Sequence, residues 1–173
     1  VSVNSLLYGL LISSGNDAAF TLSYSCSNST GEFVNEMNQK AKEIQMHNTH
    51  FENPAGFDGQ NQYTTARDLA KLSKVAVAQP LIAKIVATKQ AVVTDAYAKK
   101  TYYLQNINAL LGEVDGVEGV KTGQTEGSLE VLITQTTRNS NTIIVVVLGS
   151  TDRFLDSKQL IEWTFQNHEW VKP

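Results

Sequence analysis

The sequence has 173 residues, of which 42% are hydrophobic and 18% charged, which is typical of one soluble globular domain and excludes a disordered chain. Lysine and arginine number 14 against 17 acidic residues, so the net charge of -3 argues against nucleic acid or an anionic lipid surface as a partner. No apolar run approaches the roughly 20 residues of a membrane-spanning helix, and any export signal is expected outside this chain. The single cysteine, Cys26, cannot form an internal disulfide and is expected to be a small packed residue.

The first third of the chain has the periodicity of helices. Leucines 6, 7, 10 and 11 form one apolar helix face, which the polar break Ser13-Ser14-Gly15-Asn16 interrupts. Helical spacing resumes over residues 17–24 and again over 33–44, where charged residues occupy the opposite face. The first helical pattern begins almost at the first residue, without a preceding loop. Such an abrupt start is expected if the chain is a fragment of a longer protein.

An irregular loop and two further helices are predicted next. The segment 47–63 contains the turn signals Asn53-Pro54-Ala55-Gly56 and Asp58-Gly59. Thr65 with Asp68 resembles a capping box, with aspartate in place of the usual glutamate, and predicts the start of a helix. Pro80 is predicted to begin another short helix.

The pattern then changes from helix to strand. Residues 90–94, 100–104 and 116–123 are predicted strands, and 129–137 with 142–149 predict an antiparallel hairpin. Because residues 143–148 are apolar on both faces, they predict a central strand that is covered on both sides. A final helix over 153–170 completes a mixed α+β domain, an antiparallel sheet flanked by helices.

Two short motifs carry chemistry, although each alone is a common turn sequence. In Ser14-Gly15-Asn16 the hydroxyl can pass a proton, while the amide can both donate and accept hydrogen bonds. In Lys121-Thr122-Gly123 an ammonium and a hydroxyl suit a substrate carboxylate, and glycine allows close approach of a substrate backbone. These are groups that acyl transfer uses, because that reaction needs an activated hydroxyl, a route for protons and donors aimed at the oxyanion.

The order of these motifs resembles that of penicillin-recognising serine enzymes, in which S-x-x-K is followed by S-x-N and K-[ST]-G. The flanking segments 7–19, 47–58, 65–70 and 114–123 are similar to the low-molecular-mass D-alanyl-D-alanine carboxypeptidases. The resemblance covers nearly the whole chain. It implies a β-lactamase/transpeptidase-like fold without its N-terminal part, so that residues 1–173 form a partial catalytic domain. It implies no cofactor.

The same resemblance implies an activity and a set of site residues. The activity is removal of the terminal D-alanine from the peptidoglycan pentapeptide stem through a serine acyl-enzyme, which β-lactams trap. Ser14 and Asn16 would transfer a proton and position the substrate, and Lys121 would act beside them. Lys121 and Thr122 would bind the terminal carboxylate, and Arg153 would also attract it. Gly123 would let the substrate backbone approach, and the backbone amide of Gln124 would donate to the oxyanion. Arg153 has an alternative role, capping the last helix or pairing with Asp152 or Asp156.

Two departures from the family pattern limit what this chain can do. No serine is followed three positions later by lysine, so the nucleophile and its base are expected upstream and these residues alone are expected to be inactive. After Thr125 the chain has Ser128-Leu129 where the family usually has an alanine-glycine pair. Lost strands would also leave apolar edges, which predicts self-association.

Location and alternative functions complete the expectations. The implied substrate predicts an extracytoplasmic protein in the bacterial cell envelope, with a membrane anchor outside this chain left open. A catalytically silent peptidoglycan- or penicillin-binding module remains an alternative, as does a β-lactamase or DD-endopeptidase on the same scaffold. The three histidines, His47, His50 and His168, have no partner set for a metal site, so no metal is expected.

Overall fold

The computed structural model describes residues 1–171, and within them five helices are followed by five strands and a sixth helix, in the predicted order. The helices are α1 (Val3–Ser13), α2 (Asn16–Cys26), α3 (Thr30–Glu43), α4 (Ala66–Val77), α5 (Pro80–Val86) and α6 (Arg153–Asn167). The strands are β1 (Gln90–Thr94), β2 (Thr101–Gln105), β3 (Val117–Thr125), β4 (Leu129–Arg138) and β5 (Asn141–Ser150). The predicted α+β fold with antiparallel sheets is confirmed.

Side-chain caps explain where several helices begin. Ser2, Ser29, Thr65 and Asp152 each accept a hydrogen bond from the backbone N–H three residues ahead, and Pro80 opens α5. The predicted capping box at Thr65 is half right. Its hydroxyl accepts from the Asp68 N–H at 3.2 Å, but the Asp68 carboxylate accepts from the Asn48 N–H at 2.8 Å instead of returning to Thr65. Asp68, only 1% exposed, therefore ties the loop 47–63 to α4.

The strands form two antiparallel sheets, β1-β2 and β3-β4-β5. The β4–β5 turn is Asn139-Ser140, and both residues have positive φ (49° and 64°), as a two-residue type I′ hairpin requires. Strand β3 does not end at Gly123 as predicted but continues to Thr125.

The prediction of a central position for residues 143–148 is wrong for the part of the chain described here. Among these strands β4 lies in the middle and β5 at an edge. The apolarity of β5 instead reflects its packing against both α4 and α6. Apolar residues on both faces indicate which faces are covered, not how many strands pair at the edges.

The buried core lies between α6 and the larger sheet. Leu132 of β4 and Ile161 of α6 are both fully buried, and Leu110 and Val114 complete the cluster. Cys26, which was expected to be packed, lies instead at the exposed end of α2. No helix within residues 1–171 has the length and apolarity to cross a membrane.

Close packing of α5 on β3 fixes where the first helices lie. At Gly119 (φ 134°) an added Cβ would lie 2.8 Å from a methyl group of Val86, so only glycine permits this approach. Helix α1 packs on α5, and the Ile107 N–H donates to the Ile12 carbonyl at 3.2 Å. The carboxyl end of α1 is thereby held against the strand-rich half of the molecule.

Candidate active site

The first predicted motif forms a sharp turn between two helices. Helix α1 ends at Ser13, and Ser14 after it has left-handed backbone angles (φ 55°, ψ 40°). The N–H groups of Ser14 and Gly15 both donate to the Gly9 carbonyl. Such a conformation costs a residue other than glycine about 1–2 kcal/mol. Asn16 begins α2 directly afterwards. A strained serine between two helix ends is typical of a functional position.

Ser14 contacts the second motif across a long stretch of sequence. Lys121 Nζ donates to Ser14 Oγ at 2.7 Å, joining residues 107 positions apart, and also donates to the Thr122 carbonyl at 2.6 Å. Because the Ser14 oxygen accepts this bond, its own proton is free for another acceptor. The structure thus brings together the two motifs that the sequence predicted to act together.

Lys121 lies in an electrostatically unfavourable place. Burial, with the nearby positive charge of Arg153 adding to it, lowers the pKa of Lys121 to about 8. Among the residues that the structure describes, no carboxylate lies within 4.0 Å of the charged nitrogens of either side chain. Two neighbouring cations without counter-ions form a receptor for an anion.

Arg153 is oriented toward β3 rather than toward its own helix. Its side chain is buried (8% exposed), Nη1 donates to the Gly123 carbonyl at 2.8 Å, and the guanidinium lies 4.9 Å from the Phe154 ring centre. Its Nε has no hydrogen-bond partner within the described residues. The alternative pairing with Asp152 or Asp156 is not seen, because Asp152 caps α6 through the Leu155 N–H and Asp156 accepts from Ser150.

Thr122 and Gly123 lie between these two cations along β3. Thr122 is buried, at 8% exposure. A Cβ at Gly123 would lie 2.7 Å from a methyl group of Val131 on β4. The glycine is thus required by the packing of β3 on β4, a reason that the expectation of close substrate approach did not include.

Two further predicted residues are exposed and make no side-chain hydrogen bond within residues 1–171. Asn16 lies at the start of α2, two positions after Ser14, and Gln124 follows Gly123 on β3. No group of three His, Cys, Asp or Glu side chains in the same part of the chain is arranged to hold a metal.

Sequence reasoning missed two residues that support the site. Asp58, predicted only as part of a turn, accepts from the Thr125 hydroxyl at the end of β3 at 2.6 Å. Glu130 accepts from the Arg153 N–H at 3.1 Å. Both contacts join distant parts of the chain, so no local pattern could have indicated them.

The chain is similar in sequence to known proteins over most of its length. A family profile described as D-alanyl-D-alanine carboxypeptidase matches residues 1–152. The chain is 34% identical over 173 residues to D-alanyl-D-alanine carboxypeptidase DacF of Bacillus subtilis, covering 98% of this chain and 44% of the relative. It is 36% identical over 177 residues to DacC of Escherichia coli, covering 100% of this chain and 43% of the relative. The chain therefore spans less than half the length of these curated relatives.

The fold is also that of solved structures. The crystal structure of the Streptomyces K15 DD-transpeptidase superposes with a TM-score of 0.91 at 33% identity, over 96% of this chain and 68% of that one. The carboxypeptidase DacD from Francisella tularensis superposes with a TM-score of 0.87 at 30% identity, over 95% of this chain and 52% of that one.

Proposed function

Because the chain belongs to the D-alanyl-D-alanine carboxypeptidase family, we propose that it supplies the carboxylate-binding and proton-transfer part of a penicillin-sensitive serine carboxypeptidase. The reaction is removal of the terminal D-alanine from the peptidoglycan pentapeptide stem through a serine acyl-enzyme. The observation that carries the proposal is the 2.7 Å hydrogen bond between Lys121 and Ser14 beside a second buried cation. Acyl transfer needs this combination of a proton path and an anion receptor.

The substrate carboxylate is the anion that the site is proposed to bind. Lys121 and Arg153 repel each other in the free protein, and a carboxylate placed between them removes that repulsion while gaining charge-assisted hydrogen bonds. The Thr122 hydroxyl lies on the same strand and adds a neutral donor. A free carboxyl-terminal D-alanine offers this group, as does the carboxylate of a penicillin.

Ser14 is proposed to deliver the proton that the leaving nitrogen needs. Its oxygen accepts from Lys121, so its hydrogen can be donated to the leaving nitrogen as the peptide bond breaks. Asn16, which starts α2, is proposed to hold the substrate amide with a side chain that both donates and accepts. The Gln124 N–H is proposed as one oxyanion donor, because β3 is an outer strand of its sheet in the described chain.

The nucleophile is assigned to polypeptide outside these residues. No serine among the 173 residues is followed by lysine three positions later, and the chain spans 44% of the Bacillus subtilis relative. The same absence favours a second candidate function, a silent module that binds peptidoglycan or penicillin without turnover.

Intact mass measurement after incubation with a fluorescent penicillin tests the proposal. A longer polypeptide, in which an S-x-x-K segment precedes these residues, is expected to gain one covalent adduct on the serine of that segment. The 173 residues alone are expected to gain none. A folded longer polypeptide with that segment intact but without an adduct would favour the silent module. Release of D-alanine from a D-alanyl-D-alanine peptide, with only slow loss of the penicillin adduct, separates a carboxypeptidase from a β-lactamase.

The proposed substrate also sets the location and the partners. Peptidoglycan stems lie outside the bacterial cytoplasmic membrane, so the whole protein is proposed to act there. A membrane anchor and self-association of this chain stay predictions. Size-exclusion chromatography over a dilution series tests the second, and a monomer at all concentrations would contradict it.

A further inference from the structure

The tip of the loop 47–63, residues 53–58, connects the two parts of the molecule that carry the two motifs of the proposed site. The Asn53 side-chain oxygen accepts hydrogen bonds from three successive backbone N–H groups, those of Ala55, Gly56 and Phe57. This clamp fixes the direction in which Phe57 and Asp58 leave the turn.

Phe57 and Asp58 attach the loop tip to different elements. The Phe57 ring stacks on Phe20 of α2, the helix that begins at Asn16, with ring centres 6.1 Å apart. The Asp58 carboxylate accepts from the Thr125 hydroxyl at 2.6 Å and from the Gly127 N–H at 3.0 Å. The loop tip therefore joins the helix of the first motif to the strand end that follows the second.

We propose that Asp58 is a positioning residue that holds the Gln124–Thr125 backbone in place for acyl transfer. Asp58 does not reach the motif residues themselves and acts through Thr125. This inference rests on the proposed function, because Gln124 is there assigned as an oxyanion donor.

The turn that Asp58 binds needs external support. Residues 126–128 connect β3 to β4, and Leu129 after them has a φ of 54°, a left-handed conformation that costs a residue other than glycine about 1–2 kcal/mol. The Thr125 hydroxyl donates to Asp58, so it accepts from the Ser128 N–H at 3.0 Å. An asparagine at position 58 has a single acceptor oxygen, so it could not accept from both the Gly127 N–H and the Thr125 hydroxyl.

A matched carboxylate elsewhere separates positioning from ordinary turn stabilisation. Asp95 is half-buried and, like Asp58, accepts from a turn N–H, that of Lys99, at 2.7 Å in the β1–β2 connection. The hydrogen-bond partners of its carboxylate all lie within that connection, whereas those of the Asp58 carboxylate lie 67 and 69 residues away. Asp95→Asn is therefore the control for Asp58→Asn.

The experiment measures acylation and backbone exchange in the longer polypeptide that carries an S-x-x-K segment. Asp58→Asn and Thr125→Val are expected to slow acylation by a fluorescent penicillin about tenfold at saturation, with the half-saturating concentration nearly unchanged. Thr125→Ser, which keeps the hydroxyl, is expected to restore the rate, and Asp95→Asn to leave it unchanged. Hydrogen exchange of the peptide covering residues 121–128 is expected to speed up in the first two variants only.

The two readouts separate failure of this inference from failure of the proposed function. Wild-type acylation with equally fast acylation in Asp58→Asn would overturn the positioning role. If the wild-type protein is not acylated, the proposed function fails, and the exchange measurement still decides whether Asp58 holds the strand end. Unchanged exchange at residues 121–128 in Asp58→Asn overturns the inference in either case.

Discussion

The two ends of the β3-β4-β5 sheet each hold an arginine beside a phenylalanine ring, but within the described chain only one of these two arginines is paired with a carboxylate. At one end Arg138 binds Glu162 through two hydrogen bonds of 2.9 and 2.7 Å and lies 4.9 Å from the Phe165 ring centre. At the other end Arg153 lies 4.9 Å from its ring, has no carboxylate partner in the described chain, and is next to Lys121. An arginine with its charge satisfied serves the fold, whereas one left unsatisfied beside a second cation is available for a ligand.

The largest difference between the two ends is expected when Lys121 is removed. In the longer polypeptide, Lys121→Met should slow acylation by a penicillin at least about 100-fold, because both the partner of Ser14 and a charge facing the ligand are lost. Arg138→Met should change the same rate less than twofold. A rate in Lys121→Met that stays near the wild-type value would show that the two ends do not differ in function.

Removal of Arg153 is expected to act on recognition more than on chemistry. Arg153→Met should weaken selection of carboxylate-bearing peptides over their amides by about tenfold, the value of one charge-assisted hydrogen bond. Without the neighbouring guanidinium, the pKa of Lys121 should rise from about 8. Peptide competition assays measure the first effect, and nitrogen NMR of the lysine side chain measures the second. Equal preference for acid and amide in the wild-type protein would contradict the assignment.

The low pKa of Lys121 predicts a pH dependence that the Arg138 end lacks. As pH rises through about 8, Lys121 loses its proton, and carboxylate affinity should fall by about tenfold. Stability should move the other way. Between the folded value near 8 and the unfolded value of 10.5 the unfolded chain binds more protons, so the free energy of unfolding should increase with pH.

Urea unfolding and ligand titration across this range check both directions. Lys121→Met should abolish both changes, which makes it the control for other groups that titrate nearby. A carboxylate affinity that is flat from pH 7 to 10 would show that Lys121 does not face the ligand.

The smallest effect is expected at the end of the sheet where Arg138 pairs with Glu162, and it should be confined to the free energy of unfolding. Glu162→Gln should lower the free energy of unfolding by about 1 kcal/mol, because the pair is partly exposed to solvent (side chains 17% and 37%) and water screens it. The double variant Arg138→Met with Glu162→Gln should lose less than the sum of the single losses. Acylation should be unchanged in all three, and a slower rate would mean that the two ends are coupled.

How much the sequence predicts depends on how local the signal is. The helices starting at Thr65 and Pro80 and the Asn139-Ser140 hairpin follow from residues within a few positions of one another, and the structure has them within one to three residues of the predicted bounds. The meeting of Ser14 with Lys121 has no local signal, and only the resemblance to a family made it predictable. Asp58 belongs to a turn signal and to a segment that resembles the family, but neither indicates a partner for its side chain, so its contact with Thr125 was missed.

The two misplaced features share one physical cause. The apolar residues of β5 predicted a central strand and Cys26 was predicted to be packed, yet β5 lies at an edge of its sheet in the described chain and Cys26 is exposed. Hydrophobicity reports a preference for burial, whereas the actual burial depends on what lies beside each residue in the folded chain.

The hydrogen bond between Ser14 and Lys121 also has a kinetic consequence. It closes a loop of 107 residues, one of the longest separations in the described chain, and such a contact is favourable only after the entropy of closing that loop has been offset by the rest of the fold. Helices and hairpins with short separations form on the microsecond scale or faster, well before a domain completes such a distant contact. The proposed proton path therefore comes into existence at the end of folding, so a bound penicillin reports that the chain has reached its native topology.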